Sequence, residues 1–341
     1  MTVKECSAIA AQWVRENEAS LPGYLGAYVG GSAALLSPCS EISGGSDLDV
    51  YVVAENPPPA KRGKFVFRGA LLEISYISAA SVFPAEKALT DYHLANSLRC
   101  EFLLDDPTGR LKVLQRTVAE GFPLRENVAA RRDHALSRVR KGLSGINYAA
   151  ALPDLTLSWL FPTGITTHAV LVSALRNPTV RLRYLRSREV LEENALEAEH
   201  ERLMELSGFA RITRPQASSM LDRLEPIYDR AARLSRTFFF FVSDISPQSR
   251  PAAIDALHAL IAHGFHREVM FWIITTYARS MKMLLADAPD EYAKFLPDFE
   301  SVLAGVGRSC ETEIRAAAGN VMAYLPLLTA ITDSLIEKYG R

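Results

Sequence analysis

Hydrophobic and polar positions follow one rhythm in the first third of the chain and another afterwards. Residues 3–19 set Ile9, Trp13 and Val14 at near-helical spacing, and Pro22-Gly23 closes that opening helix. Apolar runs at 25–29 and 47–53 read as strands. Between residues 55 and 64 the stretch ENPPPAKRGK is a loop, because three consecutive prolines cannot supply ladder donors. Residues 65–67 and 71–77 then read as a hairpin turning at Arg68-Gly69-Ala70. A helix over about 79–97, a strand over 101–104 and a helix over 107–120 complete a mixed unit.

After Gly121-Phe122-Pro123 strand alternation almost vanishes. Helical periodicity occupies 126–150, 164–176, 180–206, 214–242, 250–263, 267–287, 290–304 and 311–339, with breaks at Pro178, Gly208, Pro247, Gly264 and Pro289. The expected fold class is α+β, a small mixed α/β domain over 1–122 followed by an all-α domain over 123–341. A length of 341 residues also favours two domains.

The strand at 47–53 carries a conflict. Residues i and i+2 of a strand project from one face, so Asp47 and Asp49 bring two carboxylates together inside an apolar segment. Left unpaired they repel, and one pKa rises. A hard divalent cation removes the conflict, and oxygen-only ligands suit Mg²⁺ with phosphate as co-ligand. Glu73, inside the apolar strand LLEISYI, adds a third carboxylate if its strand lies beside that of Asp47 and Asp49. Upstream, Gly30-Gly31-Ser32 ends a strand and precedes a short helical signal at 33–36. Such a turn frees backbone N–H groups for a phosphate, and the Ser32 hydroxyl can donate once more. A second turn, Gly44-Gly45-Ser46, reads as a flexible approach in which Ser46 supports Asp47. Carboxylates and a phosphate turn together describe metal-assisted phosphoryl or nucleotidyl transfer.

Gly31-Ser32, then Asp47-Leu48-Asp49-Val50, then Glu73 on a later strand resembles the DNA polymerase β-like nucleotidyltransferase superfamily. The layout of a small α/β domain followed by helices is similar to its antibiotic nucleotidyltransferases of the kanamycin and streptomycin type. Fourteen residues separate Ser32 from Asp47, a longer spacer than is usual there. The resemblance implies that Asp47 and Asp49 hold Mg²⁺ on the triphosphate of a nucleotide, ATP by expectation. It implies that Gly30, Gly31 and Ser32 grip phosphates and that Glu73 completes the metal site or takes the acceptor proton. It further implies a small hydroxylated acceptor, such as an aminoglycoside-like compound, and release of pyrophosphate. Nucleotide addition to RNA or protein, and a non-catalytic nucleotide-binding regulator, are the competing functions.

Charge narrows these. Lys plus Arg number 38 against 39 Asp plus Glu, so a general electrostatic grip on nucleic acid or anionic membrane is not expected. Cys6, Cys39, Cys100 and Cys310 are scattered without a C-x-x-C pair, which suggests neither zinc nor disulfides. The first residues are amphipathic and charged, unlike a secretory signal, and the apolar stretch 269–278 is too short to span a bilayer. A cytoplasmic protein with no membrane partner is the expectation.

Other patterns carry less. The basic run 131–141 reads as a solvated helix face. Arg181, Tyr184 and Arg188 share a helical face that suits either a phosphate and base or ion pairs with Glu189 and Glu192. His258, His263 and His266 lack metal-ligand spacing, and His168 reads as an ordinary helix residue. Residues 238–241 and 270–272 read as core or a helix-packing interface rather than an acceptor pocket. Asp154, Glu189, Glu192 and Asp244 are acidic candidates for a polycationic acceptor.

Overall fold

Residues 1–42 and 47–341 are described in this computed structural model. Helix α1 (Val3–Asn17) opens the chain under a reciprocal cap. The Thr2 hydroxyl accepts from the Glu5 N–H, and the Glu5 carboxylate accepts from the Thr2 N–H. Its apolar stripe of Cys6, Ala10, Trp13 and Val14 packs on a five-stranded sheet.

The sheet comprises β1 (Tyr24–Val29), β2 (Leu48–Ala54), β3 (Gly63–Phe67), β4 (Ala70–Ser78) and β5 (Leu103–Asp105), in the order β3-β4-β2-β1-β5. Strands β2 and β4 are parallel, and the other neighbours are antiparallel. Alternation sorts the side chains. Leu48, Val50, Val52, Leu72 and Ile74 meet α1 on one face. Tyr28, Val53 and Ile77 meet the helices that follow on the other.

The single helix expected over 79–97 is instead three short ones, α2 (Ala79–Val82), α3 (Ala85–Thr90) and α4 (Leu94–Leu98). Pro84 forces Phe83 into extended backbone and ends α2. Asp91 ends α3 and accepts from the N–H groups of His93 and Leu94 at 2.8 and 2.9 Å, which starts α4. Helix α5 (Arg110–Gly121) follows β5 and buries Leu111, Leu114 and Val118 against the sheet.

From Arg125 onward the chain is helical. Its elements are α6 (Arg125–Ser144), α7 (Leu152–Ser173), α8 (Arg183–Glu192), α9 (Glu197–Ser207), α10 (Arg214–Leu234), α11 (Ala256–Ala262), α12 (Met270–Asp287), α13 (Pro289–Gly305) and α14 (Glu311–Tyr339). The boundaries correct the expectation in three places. Helix α7 begins at Leu152 and runs through Pro162, because packing against Gly142 of α6 outweighs the ~3 kcal/mol preference against proline. The expected helix 180–206 divides at Ala195, whose φ of 55° is left-handed. The expected helix 214–242 stops at Leu234, and residues 235–241 leave it for the rim of a cleft.

Helix α7 lies at the centre, against α6, α8, α12 and α14. Both α7 and α14 are long and apolar enough to cross a membrane, a length the stretch 269–278 lacks. Most of α7 is buried within the protein, and α14 has one buried face. The helices join the sheet region through Arg131 of α6. Its buried guanidinium donates to the carbonyls of Leu89 and Phe122, at 3.1 and 2.6 Å, and covers the Phe122 ring. That member of the basic run is therefore structural rather than solvated.

Candidate active site

Strand register gathers the charges. Asp49 of β2 lies opposite Glu73 of β4, and Glu73 lies opposite Lys64 of β3. Asp47 sits just before β2. One carboxylate oxygen from each of Asp47, Asp49 and Glu73 can be chosen so that all lie within 4.8 Å of one another. The three residues are half-buried.

Two of the carboxylates have lysine partners that sequence reasoning missed. Lys64 Nζ is 3.2 Å from Asp47 Oδ1, and Lys61 donates to Glu73. A readable signal exists for Lys64, since a hairpin turning at Arg68-Gly69 sets it across from Glu73. Asp49 has no ion-pair partner among the described residues. Burial, then the charges of Asp47 and Glu73, push its carboxyl up to about 8. Burial also raises Glu73, against the pull of Lys61. Burial would lower Lys64, but the adjoining carboxylates of Asp47 and Glu73 hold it above its ordinary value. With all three ionised, the carboxylates and the two ammonium groups would leave one negative charge, at Asp49, and it is this charge that burial disfavours while no cation is bound. An all-oxygen donor set with that surplus fits a hard divalent cation.

The glycine turn touches this cluster directly. Gly31 has φ +61°, and a Cβ there would stand 1.8 Å from Asp49 Oδ2. Gly30 likewise makes room for the Tyr51 ring, and its N–H donates to the Asp49 carbonyl at 2.9 Å. Ser32 is exposed at the start of a single 3₁₀ turn, Ala33–Leu35. Ser46, with the rest of the second Gly-Gly-Ser turn, lies outside the described residues.

Gly31, Ser32, the three carboxylates and the two lysines face a cleft of about 510 Å³ between the sheet and the helices. The helical wall contributes Arg181, Asp244, Trp272 and Arg279, with Phe240 at the rim. Arg279 Nη1 pairs with Asp244 Oδ2 at 2.7 Å, and Arg181 Nη1 donates to the Ala252 carbonyl at 2.6 Å. Phe240 is therefore exposed at the cleft and not in the core expected for it, whereas Trp272 packs on the helical core as expected and also lines the cleft.

Of the basic face 181–188, only Arg181 reaches the site. Tyr184 is buried with its hydroxyl on Ser207, and Arg188 bonds Glu192 and Glu268. Among the acidic candidates Asp244 alone lines the cleft. Asp154 pairs with Lys282, Glu189 with Arg186 and Glu192 with Arg188. His258 does meet carboxylates, Asp222 and Glu225, but Glu225 already accepts from His258 Nε2 at 2.7 Å and from Arg250 Nη2 at 2.6 Å. That group is an ion-pair network with its cation in place. No family model matches the chain, and no curated protein is significantly similar to it.

Proposed function

We propose that the chain is a Mg²⁺-dependent nucleotidyltransferase of the DNA polymerase β-like kind. It moves a nucleoside monophosphate, AMP from ATP, to a hydroxyl of a small acceptor and releases pyrophosphate. In this reading residues 1–122 are the nucleotidyltransferase domain and 123–341 the helical domain that receives the acceptor. One observation carries it: three carboxylates from two neighbouring strands meet a left-handed Gly31 turn at the floor of a cleft walled by arginines and aromatic rings.

Asp47 and Asp49 are the residues that would hold the ion, which when bound supplies Lewis-acid stabilisation of the charge on the phosphates, and Glu73 beside them is left to act as the base. Gly31 and Ser32 bring backbone to the phosphate chain from the sheet side. Lys61, Lys64 and Arg181 bring positive charge from the walls. The acceptor oxygen attacks the α-phosphorus, the bond to the β-phosphate oxygen breaks, and Glu73 takes the acceptor proton. A raised carboxyl such as Glu73 is suited to that exchange.

ATP and Mg²⁺ together should raise the melting temperature, by about 2.7 kcal/mol of stability at 100 times Kd. Pyrophosphate release from ATP should depend on Mg²⁺ and on added acceptor. A melt indifferent to every nucleoside triphosphate with Mg²⁺ would overturn the assignment.

A further inference from the structure

A second cavity, of about 470 Å³, adjoins the carboxylate cleft and shares His93, Phe161 and Val180 with it. Its charged lining is of one sign. Arg138 and Lys141 of α6 stand exposed at the rim, Arg183 at the start of α8 forms the inner wall, and no Asp or Glu lines it. Neither Arg138 nor Lys141 makes an ion pair among the described residues.

Arg183 is the unexplained group. It is 2% exposed and pairs with no carboxylate among the described residues. Its Nε donates to the Val180 carbonyl at 2.8 Å, its guanidinium stacks 4.0 Å from the Phe271 ring centre, and its Nη1 has no hydrogen-bond partner. A buried, uncompensated charge costs several kcal/mol, so stability does not account for it. The helix beside it is built to admit it. Gly164 lies inside continuous α7 where a Cβ would stand 2.6 Å from Arg183 Nη1, although glycine is a poorer helix former than alanine.

His168 adds a second unpartnered position. It is 1% exposed, and burial holds its imidazole well below the usual range, hence neutral. Its Nε2 lies 2.9 Å from the Thr179 carbonyl, which makes that nitrogen the donor. Nδ1 is left a bare acceptor, without a partner. An acceptor nitrogen suits a hydroxyl, and three cations suit an anion.

We propose that this cavity is the acceptor subsite, and that the acceptor is a small hydroxylated molecule bearing an anionic group. This rests on the nucleotidyltransferase reading, and it reverses the charge of the aminoglycoside-like acceptor that the sequence resemblance implies. The anionic group is held by Arg183, Arg138 and Lys141, a hydroxyl donates to His168 Nδ1, and the wall of His93, Phe161 and Val180 is shared with the carboxylate cleft.

The test uses the full chain in EDTA without nucleotide, followed by thermal melting and calorimetry. Probes are glucose 6-phosphate and gluconate at millimolar concentration, which separate phosphate from carboxylate, with glucose and kanamycin as neutral and cationic comparisons. The anions should stabilise the protein and the comparisons should not. Arg138→Ala and Lys141→Ala, both at exposed positions, should each weaken anion binding about tenfold. Neither should change the shift given by ATP and Mg²⁺. A normal ATP and Mg²⁺ shift with no response to either anion, or a larger response to kanamycin, overturns the inference and leaves the nucleotidyltransferase reading intact. An ATP and Mg²⁺ shift that weakens in Arg138→Ala gives the cavity to the nucleotide and also overturns it. Anion binding without any ATP and Mg²⁺ shift removes the nucleotidyltransferase reading and the acceptor role together.

Discussion

Asp49→Asn keeps the shape of the side chain and removes the charge on which the site depends. In the folded, metal-free protein the Asp49 carboxyl is pushed up to about 8, first by burial and then by Asp47 and Glu73. In the unfolded chain an aspartate titrates near 3.9. Between roughly pH 4 and pH 8 the folded state therefore holds a proton that the unfolded state has released. Stability from this group is complete below the unfolded value and falls as pH rises, by about 1.4 kcal/mol per pH unit within the window. The asparagine variant lacks that dependence. In EDTA its advantage over wild type should widen steadily from pH 4 to pH 8. With Mg²⁺ and ATP the order should invert, because only wild type keeps the full carboxylate set. Loss of Lewis-acid stabilisation worth several kcal/mol lowers turnover by on the order of 10³-fold. Melting curves across pH and pyrophosphate release, on the same samples, measure both effects. If Asp49 were an ordinary partnered carboxylate, the variant would melt earlier at pH 8 and retain near-normal activity per folded molecule, and that result would remove Asp49 from the metal site.

Gly31→Ala should lose about 1–2 kcal/mol through left-handed backbone alone, and its Cβ, otherwise 1.8 Å from Asp49 Oδ2, should displace the carboxylate and depress turnover beyond the loss of stability. Undiminished activity in that variant would show that the turn does not position Asp49. In the helices, buried Glu268 accepts from Arg188 Nη1 at 2.9 Å and His200 Nε2 at 3.2 Å. Against burial, which would raise it, those bonds hold its carboxyl at about 2, so its contribution is present above pH ~4.3 and lost as pH falls toward 2. Glu268→Gln should cost about 3–5 kcal/mol at neutral pH and flatten acid unfolding below pH 4; equal melting temperatures at pH 7 would exclude the buried network as a source of stability.

The parts of the fold that depend on neighbours in sequence are legible in the chain itself. The sheet strands, the hairpin at Arg68-Gly69 and the change to helices after residue 121 follow from alternation and turn residues. Proline is where periodicity misleads. Pro84 falls inside an expected helix and ends one, whereas α7 continues through Pro162 because Gly142 of the neighbouring helix leaves space for its ring. A local propensity decides the first case, and a contact between distant residues decides the second. The candidate site divides the same way. Asp47 and Asp49 are two residues apart and declare themselves, while Arg181, Asp244, Trp272 and Arg279 reach the cleft only through helix packing.

Glycine is the residue through which such distant meetings still leave a trace in sequence. Gly31 sits where backbone must bend left-handed and a carboxylate must come close. Gly164 sits in mid-helix, where alanine would be the better helix former, and a guanidinium fills the space of its missing Cβ. Each gives up local stability, and each admits one charged side chain, Asp49 in the first cavity and Arg183 in the second. Ionised, the two groups carry charges of opposite sign, and among the described residues neither has an ion-pair partner. Under the proposed function the two positions divide the ligands, a cation and its phosphates at Asp49 and an anion at Arg183. On that proposal hydroxyl and phosphate would meet at the wall that the cavities share, formed by His93, Phe161 and Val180.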